Sequence, residues 1–106
     1  MSVAADELYD HVIIDVEDTK RSRFATFWRP NGYGYTTDLS KAGLYPEAEA
    51  EHIVSDTHGA HAAVRYADMI PLTSPYESRD GGSYMVVDAA HALGVIRAAA
   101  TPEAGE

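Results

Sequence analysis

The sequence predicts an α+β fold: a small antiparallel sheet started by an N-terminal β-hairpin, with two short helices packed on one face. Three observations predict it. Residues 9–16 hold Val12, Ile13, Ile14 and Val16, a β-branched run suited to a buried strand. Residues 23–29 alternate Phe24, Thr26 and Trp28 with Ala25 and Phe27, the period of two that a returning strand needs. Residues 46–55 and 89–99 carry helix-start signals and apolar positions spaced three and four apart.

Taken in order, residues 1–7 have little patterned apolar content and read as a loose start. Residues 18–22 are polar and charged, as a hairpin turn should be, but contain neither Asn-Gly nor Asp-Gly, so the turn type stays open. Large apolar groups on both faces of residues 23–29 suggest a central strand or one covered on both sides. Pro30 ends it, having no amide proton for the ladder. Asn31-Gly32-Tyr33-Gly34 is a turn, and residues 35–37 form a short third strand. Residues 38–45 read as a helical turn or loop with Gly43 as its stop.

Pro46 suits the first helical position, and Glu47 and Glu49 sit where a helix N-terminus favours negative charge. Ala50, Ile53 and Val54 make a narrow buried stripe. Gly59 centres a break over residues 56–61. Residues 62–72 carry both strand and helix signals, and Pro71 favours a strand over 67–72. Residues 73–83 read as a loop and 84–87 as a last strand. Asp88 is an N-cap for the second helix, with Leu93 and Ile96 facing inward and Gly94 as a weak point. Residues 101–106 are a polar tail. The expected core is Trp28, Phe24, Ile13, Ile53, Val54, Leu93 and Ile96. No internal repeat or boundary divides residues 1–106, so one domain is expected.

Composition limits the function classes. The chain has no cysteine, which removes disulfides, thiolate metal sites and thiol nucleophiles and fits a reducing compartment. No apolar run approaches the roughly 18 residues of a membrane span, and residues 1–10 lack the basic start and apolar core of a signal peptide. A cytoplasmic protein with no membrane partner is expected. The net charge of −9 disfavours nonspecific binding to phosphates and permits a basic partner surface, or mimicry of nucleic acid by carboxylates.

Residues 24–45 concentrate the informative side chains: the only Trp, both Phe and three of the seven Tyr. Phe27-Trp28-Arg29-Pro30, Gly32 to Tyr35, Asp38-Leu39, Ala42-Gly43 and Tyr45 resemble a pattern found in small uncharacterised proteins of phages and prophage regions. In those proteins a strand ending in Trp-Arg-Pro leads to Gly-Tyr, then a Leu, then Ala-Gly-x-Tyr. The resemblance covers about twenty residues and carries no established activity and no catalytic residues. What it implies is a context, a short accessory protein that meets a host protein, in the manner of small acidic anti-defence proteins.

Candidate chemistry is sparse. Ser55-Asp56-Thr57-His58-Gly59 resembles the first metal motif of calcineurin-like phosphoesterases, but it follows an acidic helical stretch and the partner motifs are missing. His52, Asp56, His58 and His61 offer imidazole and carboxylate ligands for a borderline metal, against the plainer reading of a polar helix end with exposed histidines. No nucleophile elbow and no phosphate-binding Gly-rich loop is present. The reading is therefore a non-enzymatic interaction protein without cofactor or metal. Its partner is expected to be a host protein, and a homodimer through an open sheet edge is compatible with the pattern. The binding residues expected are Lys20, Arg21, Arg23, Trp28, Arg29, Tyr33 and Tyr35. The same set serves the alternative, a nucleotide or single-stranded nucleic-acid module that combines cations with stacking rings; the third reading is a small metal-dependent hydrolase using Asp56 and His58.

Overall fold

Val12, Ile13 and Ile14 are consecutive and all wholly buried, so strand β1 (Tyr9–Asp15) is covered on both faces. In the computed structural model, which describes residues 8–100, β1 is the central strand. Along one edge it pairs antiparallel with β5 (His61–Arg65), in unbroken register from His11↔Arg65 to Asp15↔His61. The other edge is shared: β4 (Tyr45–Pro46) pairs beside its first half and β2 (Phe27–Trp28) pairs at Ile14↔Phe27. β3 (Tyr35–Thr36) extends the sheet beyond β2.

A second sheet is the antiparallel pair β6 (Thr73–Glu77) and β7 (Ser83–Val87). It is tied to the first through the chain just before β2. Ala25 N–H donates to the Val87 carbonyl at 2.8 Å, and Ala89 N–H donates to the Arg23 carbonyl at 3.0 Å. The fold is thus α+β, with an antiparallel sheet started by the N-terminal strands.

The helices depart from expectation in number and placement. The polar turn expected at 18–22 is largely taken up by a helical turn, α1 (Val16–Lys20), because Asp15 caps it by accepting from Asp18 N–H at 2.9 Å and acidic residues fill its first turn. The two longer helices, α2 (Glu47–Ser55) and α4 (Ala89–Ala100), do not share one face. α2 packs Ala50, Ile53 and Val54 with Ile13 and Tyr45. α4 packs Ala92, Val95 and Ile96 with Val12, Ile14 and Phe27. Alternation along β1 sends Ile13 to one side and its two neighbours to the other, so each helix covers one face.

Other expectations shift for local reasons. The strand expected at 67–72 lies earlier, as β5. It is followed by a single helical turn, α3 (Tyr66–Met69), and a 3-10 turn (Ile70–Leu72), where Pro71 sits at the turn's start and its missing N–H costs no bond. The loop expected at 73–83 begins with β6, a two-stranded-sheet edge that tolerates Pro75. Only Phe27–Trp28 of residues 23–29 is strand, with Phe24 in an isolated bridge to Asp88. In the core, Phe27 takes the place expected for Phe24 and Trp28, which are both half-buried. Leu93 stands outside both clusters, and the inward stripe of α4 is Ala92, Val95 and Ile96. Residues 1–7 and 101–106, expected as loose ends, lie outside the described residues.

Candidate functional site

The β2–β3 hairpin is built from a turn that needs unusual backbone. Asn31 (φ 58), Gly32 (φ 70) and Gly34 (φ 103) all occupy the left-handed region that glycine and asparagine tolerate best. Arg29 N–H donates to the Gly34 carbonyl at 2.8 Å, and Trp28 pairs directly with Tyr35. The tip carries Tyr33, 79% exposed, and the arm carries Tyr35, 52% exposed.

The hairpin base is clamped by the segment leading into β4. Gly43 N–H donates to the Trp28 carbonyl at 2.8 Å. The Tyr45 hydroxyl donates to the Arg29 carbonyl at 2.7 Å. Gly43 lies so close to Pro30 that a Cβ there would stand 2.8 Å from the Pro30 nitrogen and Cα. Gly43 directly follows the cap of the 3-10 turn at residues 39–41, where the stop is expected, and it is also a close-approach glycine. Burial pushes the Tyr45 phenol above its ordinary pKa, which keeps it the donor in this contact.

Asp38 anchors the chain beyond β3. It is almost fully buried and accepts from the Ser40 hydroxyl (2.7 Å), Ser40 N–H (3.0 Å) and Met85 N–H (3.3 Å). Burial alone would raise its pKa. The three hydrogen bonds, with Lys41 nearby, outweigh burial and hold the carboxyl below its usual value. It caps the 3-10 turn Leu39–Lys41 and ties the hairpin end to β7.

Of the seven expected binding residues, the structure gathers four on this hairpin: Trp28, Arg29, Tyr33 and Tyr35. Trp28 lies edge-on to Tyr35, ring centroids 6.4 Å apart, and edge-on to His61 at 5.4 Å. The other three are placed elsewhere. Lys20 and Arg21 end α1, with Lys20 Nζ 3.9 Å from Glu17. Arg23 lays its guanidinium over the rings of Phe24 (5.0 Å) and Tyr76 (5.9 Å). Tyr76 and His61 were not foreseen as neighbours of these residues. Both contacts are tertiary, and no local sequence signal marks them.

The histidine-rich stretch does not converge. His52 and His58 are exposed, Asp56 caps the end of α2, and His61 turns inward against Trp28. Among the described residues no group of three His, Asp or Glu side chains is placed to hold a metal ion. The Asp56–His58 stretch follows α2 and not a buried strand, unlike the phosphoesterase motif it resembles. No family model, no characterised protein and no solved structure matches this chain.

Proposed function

We propose that this chain is a non-enzymatic interaction protein that binds a protein partner through the β2–β3 hairpin, with Tyr33, Tyr35 and Arg29 making the contact and Trp28 supporting them. The observation that carries this reading is the rigid display of two exposed tyrosines. Their hairpin is clamped at its base through Trp28, Arg29 and Pro30 before any partner arrives. Little ordering entropy then remains to oppose binding, and Tyr, Trp and Arg are the residues most often found at interface hot spots. The partner we propose is a host protein, and the role that of a phage-derived accessory or anti-defence inhibitor. The Trp-Arg-Pro to Ala-Gly-x-Tyr pattern supports that context. The nucleic-acid alternative is weakened by the net charge and by Arg23 and Lys20 already engaging neighbours.

The test is an affinity capture of the tagged protein from host lysate, with and without nuclease, repeated with Tyr33→Ala/Tyr35→Ala. One dominant protein that survives nuclease and is lost with the double variant is the expected result. Recovery of nucleic acid alone, or a partner retained by the double variant, contradicts the reading.

A further inference from the structure

The hydrogen-bond phase of β1 fixes which way β5 faces. Asp15 N–H donates to Thr26 on the β2 side at 2.9 Å, and Val16 N–H donates to Ala60 on the β5 side at 2.8 Å. Alternation then directs the backbone of Val12 and Ile14 toward β5. In the register Ile14↔Ala62 and Val12↔Val64, Ala62 and Val64 turn back toward β1. His61, Ala63 and Arg65 turn their backbone groups to the outer edge. The Thr57 hydroxyl takes the His61 N–H at 3.2 Å. The N–H and carbonyl of Ala63 have no partner among the described residues.

That open edge is the floor of a groove. Two adjoining hollows of about 230 and 240 Å³ share Glu51, Ala63, Val64 and Ala99. The walls differ in chemistry. α2 contributes Glu47 and Glu51 on one side, while α4 contributes Val95, Ile96 and Ala99 on the other; Arg65 and His11 also line one hollow, so the carboxylates of Glu47, Glu51 and Asp68 outnumber its one fixed cation. Neither glutamate, nor Asp68 at the end of the groove, makes an ion pair among the described residues. Edge strands usually carry protection against pairing; β5 has no proline and no bulge, and its one charged guard is Arg65 at the strand's end.

We propose that this groove binds an extended basic segment of a partner protein, added as a strand to the outer edge of β5. The main chain of the segment would hydrogen-bond with Ala63. Successive side chains of a strand point to opposite faces, so a segment alternating basic and apolar residues places its cations against Glu47 and Glu51 and its apolar groups against Val95, Ile96 and Ala99. The chain's own ends are poor occupants on charge. Residues 1–7 bring Asp6 and Glu7, and residues 101–106 bring Glu103 and Glu106, against an acidic wall. This site is independent of the β2–β3 hairpin and stands or falls without it.

The experiment uses a fluorescent peptide of alternating Lys and Val, read by anisotropy and by exchange of the Ala63 amide. Controls are an alternating Glu and Val peptide and a peptide of the same Lys and Val content arranged in two blocks. The alternating Lys peptide is expected to bind at least about tenfold tighter than either control. It should slow exchange at Ala63 and weaken by about tenfold with Glu51→Lys or Ala99→Trp, both at exposed positions. No binding, equal binding of the block peptide, or an unchanged Ala63 amide overturns the proposal. So does a concentration-dependent dimer that Glu51→Lys dissolves, because a second copy would then own the groove.

Discussion

The Tyr45 hydroxyl reaches across sixteen positions of sequence to donate to the Arg29 carbonyl at 2.7 Å. This one contact joins β4, at the edge of the central strand, to the base of the exposed hairpin. It explains why a tyrosine is buried there: its ring packs with Ile13 and Ala50 while its polar end satisfies a carbonyl at the turn. Tyr45→Phe keeps the ring and leaves that carbonyl without its donor. The expected cost is about 1–2 kcal/mol, measured by urea denaturation.

Two glycines should respond in opposite directions to the same substitution. At Gly43 an added methyl would meet the Pro30 backbone at 2.8 Å. Gly43→Ala should destabilise by about 1–3 kcal/mol through forced backbone shifts. At Gly94, inside α4, an added Cβ would meet no atom of the described residues within 4 Å beyond its chain neighbours and the helix's own backbone. Gly94→Ala should stabilise by roughly 1 kcal/mol, since alanine loses less backbone entropy on entering a helix. Thermal melts of the two variants side by side provide the comparison.

Asp38 gives the stability a defined pH dependence. Its folded pKa lies below the ordinary value of 3.8, so in that region the unfolded chain binds more protons than the folded one. The contribution of Asp38 is therefore complete above about 3.8 and is lost as pH falls through the lower folded value. The stability gap between the native chain and Asp38→Asn should be flat from neutral pH down to that point and narrow below it. A gap independent of pH throughout the acid limb contradicts this account.

How much of this could be read from the sequence depends on whether the signal was local. β1, β3 and α2 were legible because β-branched runs, glycine turns and helix-start residues act within a few positions. The same holds for the Asp88 cap, whose carboxylate accepts from Ala90 N–H at 3.2 Å. The face each helix covers was not legible, because Ile13 and its neighbours are all buried and no alternation marks one side as solvent. β6 was hidden by Pro75, and the shift of β5 to His61–Arg65 follows from its pairing with β1, which no local signal reports. Within the site, Trp28, Arg29, Tyr33 and Tyr35 were gathered by one hairpin, whereas Arg23 was drawn away by Tyr76, a partner fifty-three positions later.

His61 is a polar ring held by packing against Trp28. Both ring nitrogens are buried without a hydrogen-bond partner among the described residues, and the nearer one is 3.9 Å from Asp15. The Trp28 indole N–H is likewise buried and has no hydrogen-bond partner among the described residues. His61→Phe should keep the edge-on contact with Trp28 and remove two unsatisfied atoms. The expected result is unchanged or higher stability, by up to about 1 kcal/mol, in equilibrium denaturation followed by Trp28 fluorescence.

The most direct test of the central claim is the affinity of the dominant protein recovered by affinity capture for three forms of the chain: native, Tyr33→Ala/Tyr35→Ala, and Tyr9→Ala, an exposed tyrosine on β1 that serves as control. The account predicts that the double variant binds at least about tenfold more weakly, as loss of hot-spot side chains does, while Tyr9→Ala binds as the native chain. Equal affinity of the double variant and the native chain would contradict it.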